Sequence, residues 1–260
     1  MLHDPMVLSR DKIEFYRENG FVQVDNVITK DEVEELRSYL FEVMNGGAAR
    51  SVQTDREEGA YYKVLNQRVN TWRDHGGIAK FVLSRRFADL GKQLTGAEGI
   101  RLFHDHALYK MPGDSKPTPW HQDWPYWPMN ETGAFSMWLA LDDVDETNGC
   151  MMFVPKSQKI KNLKGISLVT PEDIFALEGA READRNTAAI VRMKAGSCTF
   201  HDGLTFHYAH ANRTDRPRRA LAVIYMPDGT TYSGAPHICT DGQHLQSGDP
   251  IRGGLFPKLA

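Results

Sequence analysis

Two short stretches hold residues whose types and spacing suit metal chemistry. The first is Trp120-His-Gln-Asp-Trp-Pro-Tyr-Trp-Pro128, in which His121 and Asp123 stand two apart. On an extended segment residues i and i+2 point the same way, so an imidazole and a carboxylate aim at one spot. The second stretch, Phe200 to Asn212, offers His201, His207 and His210. One imidazole from it completes two histidines and a carboxylate, a facial set that suits non-haem Fe(II) and leaves three adjacent positions open. An α-keto acid fills two of these through its keto and carboxylate oxygens, and dioxygen takes the third. The far carboxylate of 2-oxoglutarate then needs a cation, and arginine's planar fork matches it in bidentate fashion. Arg213, Arg216, Arg218 and Arg219 all follow the histidine cluster. If residues 218 onward form a strand, Arg218, Ala220 and Ala222 share one face, and the small alanines leave room beside the guanidinium.

These residues need a scaffold. From residue 100 the apolar pattern has a period of two: 100–110, 135–141 and 219–226 alternate, and 150–154, 188–193 and 197–200 are short apolar runs. Pro112-Gly113, Thr147-Asn-Gly149, Ala195-Gly196 and Pro227-Asp-Gly229 separate them, which predicts a β-sandwich or barrel. The first hundred residues read as helical. Ser9 caps a helix that Gly20 ends. Thr29 and Glu32 form a capping box ahead of a Val33, Leu36, Leu40, Val43 stripe that Gly46-Gly47 stops. Ser84 opens a third helix carrying Phe87, Leu90 and Leu94, ended near Gly96. A polar loop at 54–59 and a short strand, Tyr61 to Val64, lie between. Residues 156–187 interrupt the strands as a lid or an inert connection, with a short helix expected from Thr170-Pro-Glu-Asp173.

The matching stretches Leu108 to Gly113, Trp120 to Asp123, Trp138 to Asp143, Asn148 to Cys150, Val154 to Ser157 and His201 to Tyr225 together resemble the phytanoyl-CoA dioxygenase family of Fe(II)/2-oxoglutarate oxygenases. The resemblance spans roughly residues 100–230. It implies a mainly β fold with flanking helices: a double-stranded β-helix, the cupin-like jelly roll, with N-terminal helices packed outside. The family's metal ligands fall on His121, Asp123 and His207. Its 2-oxoglutarate residues fall on Arg218 and Trp138, and on His106, where glutamine or methionine is commoner. Lys63 is a further candidate contact. Trp124, Tyr126, Trp127 and His201 are candidate walls of the substrate pocket. Halogenating relatives replace the metal carboxylate with a small residue; Asp123 is present, which implies an oxygenase outcome, by default hydroxylation with release of succinate and carbon dioxide. The alternative is a metal-binding barrel, an isomerase, hydrolase or sensor, without keto-acid chemistry.

The bulk properties set the remaining expectations. The 260 residues read as one domain, with a helical part at 1–98, a barrel core at 99–230 and a C-terminal tail at 231–260. Hydrophobic residues at 41%, charged residues at 25% and a net charge of −3 fit a globular chain with no pull toward nucleic acid. No apolar run reaches the length of a membrane span, and the N-terminus lacks a signal-peptide layout. Cys150, Cys198 and Cys239 lie far apart, as expected of reduced thiols in a cytoplasmic protein. Lys156, Lys159, Lys161 and Lys164 are either a rim for a CoA tail or a solvated face. The expected partner is a small-molecule substrate.

Overall fold

The computed structural model describes residues 2, 4–46, 52–54, 66–113 and 115–260. The expected strand Tyr61–Val64, most of the 54–59 loop and Lys63 lie outside them. Among the described residues eleven strands form two sheets, every pair antiparallel. They are β1 (Phe21–Val24), β2 (Val52–Thr54), β3 (Asn66–Val69), β4 (Ile100–Lys110), β5 (Thr118–His121), β6 (Phe135–Ala140), β7 (Met151–Phe153), β8 (Ala189–Val191), β9 (Cys198–Asp202), β10 (His207–Ala209) and β11 (Arg218–Pro227). The larger sheet runs β1-β9-β6-β11-β4-β3-β2 and the smaller β5-β10-β7-β8. Met151, Phe153, Val191 and Ala209 of the small sheet share one apolar cluster with Trp138, Ala140, Ala220, Ala222 and Ile224 of the large one. The two sheets thus face each other as a double-stranded β-helix.

Alternation along the central strands assigns their faces. On β6, Phe135, Met137 and Leu139 turn outward, and on β11 Leu221, Val223 and Tyr225 do the same. That outer face is covered by helices α1 (Arg10–Asn19), α2 (Lys30–Asn45), α3 (Gly76–Val82) and α4 (Arg85–Thr95). Ser9 caps α1, and Thr29 with Glu32 forms the capping box of α2, as the sequence predicts. Val33, Leu36, Leu40 and Val43 are all buried against the sheet.

Several elements differ from expectation. The N-terminal part is not purely helical: β1 forms one edge of the large sheet, and β3 and β2 extend it beyond β4 to the other. Helix α3 is an addition to the three helices expected; a Cβ on its Gly77 would sit 2.3 Å from the Tyr39 ring, so close packing on α2 explains the glycine. Thr170 to Asp173 starts no helix. Only a 3₁₀ turn, Ile174–Ala176, forms there, capped by Asp173. The tail at 231–260 folds back on the barrel. Ile251 and Phe256 are buried, and the Leu259 amide and Ala260 carbonyl pair with the Ile100 backbone. No helix among the described residues is long and apolar enough to cross a membrane.

Candidate active site

Strand register builds the site. His121 ends β5 and His207 begins β10, and these two are direct cross-strand partners. Their ring centroids lie 4.1 Å apart. Asp123 reaches the same point by a different route from the extended spacing expected. It has helical φ/ψ (−78°, −39°) and opens the 3₁₀ turn Trp124–Tyr126, so a turn rather than a strand swings its carboxylate back. Gln122 between them points away, donating to the Ile160 and Leu204 carbonyls. The ligand atoms of His121, Asp123 and His207 all lie within 4.8 Å of one another. Asp123 Oδ1 is 3.5 Å from both His121 Nε2 and His207 Nε2.

The surroundings fix which nitrogen faces inward. His121 Nδ1 lies 2.7 Å from the Pro119 carbonyl and His207 Nδ1 lies 2.9 Å from the Thr205 carbonyl. A carbonyl accepts only, so each Nδ1 carries the proton and each Nε2 presents a lone pair to the centre. Thr205 is itself anchored, its hydroxyl donating to the Gly20 carbonyl at 2.8 Å. Gly20 (φ +80°) has no room for a side chain there, since a Cβ would fall 2.4 Å from Thr205 Oγ1. Ser136 Oγ donates to Asp123 Oδ2 at 2.9 Å. Burial opposes the Asp123 charge, yet the imidazoles of His207, His121 and His201 gathered around it hold its carboxyl well below the usual range. Burial and the neighbouring His207 lower the His121 pKa, favouring the neutral, ligating imidazole.

A cavity of about 330 Å³ opens on this cluster. Arg218, only 2% exposed, lies at one end with its guanidinium carbon 5.1 Å from the Trp138 ring centre. Its Nε and Nη1 have no hydrogen-bond partner among the described residues. Burial pulls its pKa down to about 10, which leaves it charged at neutral pH. A buried cation with unmade hydrogen bonds is costly unless a ligand supplies the anion. A carboxylate fits these unpaired donors, and the His/Asp/His set beside them fits a metal. Gly149 (φ +109°) lets the loop close over the arginine; a Cβ there would meet the His210 carbonyl at 2.9 Å and Arg218 Nε at 3.3 Å. Arg219, on the opposite face of β11, is held by Asp142 instead.

Of the other expected residues, Trp138, His106, Tyr126, Trp127 and His201 line the cavity. Trp124 does not. It packs on the same apolar cluster and its Nε1 donates to the Glu131 carbonyl, because the 3₁₀ turn rotates it off the wall. His201 Nε2 stands 3.4 Å from Asp123 Oδ2. His210 packs edge-on against Tyr208, off the cavity. Sequence reasoning missed Ser136, Gln67, Leu168, His237 and Ile238 as lining. Ser136 was findable, since it alternates with Trp138 on β6.

The family model for phytanoyl-CoA dioxygenase matches residues 16–220. The chain belongs to the phytanoyl-CoA dioxygenase family. It is a non-haem iron, 2-oxoglutarate-dependent oxygenase. Among curated relatives, a probable alpha-ketoglutarate-dependent hypophosphite dioxygenase of Stutzerimonas stutzeri is 26% identical over 218 residues, covering 81% of this chain and 76% of that one. The crystal structure of the non-haem alpha-ketoglutarate-dependent carbocyclase SnoK from nogalamycin biosynthesis is 28% identical with a TM-score of 0.82, covering 99% of this chain and 100% of that one. The epimerase SnoN, solved with Fe3+, alpha-ketoglutarate and nogalamycin RO, is 28% identical with a TM-score of 0.80, covering 96% and 98%.

Proposed function

We propose that His121, Asp123 and His207 hold the iron, that Arg218 takes the far carboxylate of 2-oxoglutarate against Trp138, and that His106 flanks the co-substrate. The observation that carries this reading is the buried Arg218 guanidinium, with Nε and Nη1 unpartnered, in the same cavity as the His/Asp/His cluster. When bound, iron and 2-oxoglutarate together with dioxygen supply an oxidant able to attack an unactivated C–H, yielding the hydroxylated product, succinate and carbon dioxide. This chain's own residues hold, orient and shield. The Pro119 and Thr205 carbonyls fix the two imidazoles, Ser136 steadies the carboxylate, and Ala220 and Ala222 leave space over which the co-substrate lies. Tyr126 and Trp127 form the far wall beside Leu168 of the 156–187 insertion, which limits water at the reacting carbon.

The substrate is a small molecule without a CoA tail. Lys156 pairs with Glu18 and Lys164 with Glu172, which supports a solvated face over a phosphate-binding rim. One relative is named a probable hypophosphite dioxygenase and another was solved with nogalamycin RO bound, so family membership does not select among small molecules. Hydroxylation is the reaction we assign, with Asp123 filling the position that a halide would need. Three free, buried cysteines support a reducing compartment, the cytoplasm. The test is succinate release in air with Fe(II), 2-oxoglutarate and a panel of small oxygenated metabolites. Stimulated release, with a product heavier by one oxygen atom, is expected. Stimulation with a product of unchanged or reduced mass would replace hydroxylation by epimerisation, cyclisation or desaturation.

A further inference from the structure

A second group, two of whose three members line the cavity, has metal-like spacing. Ligand atoms of His104, His237 and Cys239 lie within 4.8 Å of one another. Its hydrogen bonds, however, run opposite to those of the first group. His237 Nδ1 accepts the backbone N–H of Cys239 at 3.1 Å. That lone pair is therefore taken, the proton of the neutral ring sits on Nε2, and Nε2 is a donor. In His121 and His207 the carbonyls force the reverse tautomer. The turn that holds His237 is tightly made. Its carbonyl accepts from the Thr240 and Asp241 amides and the Thr240 hydroxyl, and its own amide donates to Asp241 Oδ1 at 3.3 Å. The ring lies against Phe103 and His104, with centroids 5.2 and 5.6 Å away. With Nδ1 turned into its own turn, the Nε2 edge faces the cavity that His237 lines. Burial lowers the His237 pKa to about 4, so the ring is neutral at physiological pH.

The charges of the cavity narrow what that donor meets. Among the described lining residues Arg218 is the one cation and Asp123 the one carboxylate. Both are used, one by the co-substrate and one by the metal. The remaining wall is aromatic, aliphatic, amide, hydroxyl and imidazole. We propose that His237 is a specificity-determining residue, donating from Nε2–H to an uncharged oxygen of the substrate, and that the substrate is accordingly an uncharged, mostly hydrocarbon molecule bearing a carbonyl, hydroxyl or ether. This rests on the oxygenase reading above.

The experiment uses full-length ¹⁵N-histidine-labelled protein loaded with 2-oxoglutarate and Zn(II), a diamagnetic substitute for iron. Two-bond proton–nitrogen correlation reads each tautomer, with His237 assigned by the loss of its signals in His237→Phe. The expected spectrum shows Nε2–H at His237 and Nδ1–H at His121 and His207. The probes are cyclohexanone and cyclohexane at equal concentration. The ketone moves the His237 Nε2–H resonance and the hydrocarbon does not, and His237→Phe weakens ketone binding about three- to tenfold, as for loss of one neutral hydrogen bond. An Nδ1–H tautomer at His237, no shift with ketone, or equal responses to both probes would overturn the proposal. So would uptake of a second Co(II) equivalent with a thiolate-to-cobalt charge-transfer band that Cys239→Ser abolishes, since that makes His237 a metal ligand. The anaerobic Fe(II)/2-oxoglutarate spectrum of the same wild-type preparation tests the oxygenase reading separately.

Discussion

Replacing Arg218 with methionine separates a co-substrate clamp from a structural arginine, because the two roles predict opposite signs. The guanidinium is 2% exposed, and its Nε and Nη1 have no partner among the described residues. Burial moves its pKa from 12.5 to about 10. At about 1.4 kcal/mol per pKa unit, holding that charge costs the empty fold about 3 kcal/mol. Methionine fills similar space without the charge, so the apoprotein should gain up to about 3 kcal/mol and melt roughly 6–12 °C higher. The bound state moves the other way. Removing one partner of a buried ion pair costs about 3–5 kcal/mol, which weakens 2-oxoglutarate roughly 150- to 4,000-fold. Calorimetric titration under nitrogen measures the second quantity and thermal melting with and without 2-oxoglutarate measures the first. The wild-type protein should be stabilised by 2-oxoglutarate and Arg218→Met should not. Arg219→Ala, which breaks only the contact to Asp142, should leave 2-oxoglutarate affinity near wild type. A loss of less than about threefold in Arg218→Met, or an apoprotein that melts lower, would refute the reasoning.

Three smaller predictions follow from single contacts. Ser136→Ala deletes the hydrogen bond to Asp123 Oδ2 and should weaken iron roughly 10- to 100-fold in a competitive chelator titration; unchanged affinity would mean Ser136 does not steady the ligand. Tyr126 Oη donates to the Ile166 carbonyl at 2.6 Å and accepts its amide at 3.0 Å, so Tyr126→Phe should speed hydrogen exchange at Ile166 by about tenfold while leaving core amides unchanged. Burial raises the Asp202 pKa from 3.8 to about 6. A folded-state pKa above the unfolded one means stability is gained as pH falls through 6 and is fully present below about 4. Asp202→Asn should therefore be more stable than wild type at pH 7 by up to about 3 kcal/mol, with the difference vanishing near pH 4 in urea melts.

The parts of the molecule legible in the sequence are those set by local pattern. Period-two alternation at 100–110, 135–141 and 219–226 corresponds to the long central strands, and the same parity puts Arg218, Ala220 and Ala222 inside and Leu221 and Val223 outside. Caps and glycines located α1 and α2, and the Phe87, Leu90, Leu94 stripe ended by Gly96 located α4, whose Ser84 hydroxyl donates to the Leu2 carbonyl instead of capping. What escaped depends on contacts distant in the chain. Strand β1 is four residues long and exists because β9 offers it an edge. The Asp123 backbone turns rather than extends, which two-residue spacing cannot reveal. Trp124 carries the same side-chain chemistry as Trp127 but is rotated away by that turn. His237 sits in a tail without periodicity, and only the return of that segment over the barrel brings it to the cavity.

The central claim, that this cavity chelates iron and 2-oxoglutarate together, is tested most directly by an anaerobic visible titration. Fe(II) and then 2-oxoglutarate are added to the purified apoprotein, to His207→Ala and to His201→Ala. A weak charge-transfer band that forms only when both are present, persists in His201→Ala and is lost in His207→Ala is the predicted result. Iron binding without that band, or a band that survives in His207→Ala and disappears in His201→Ala, would contradict the site assigned here.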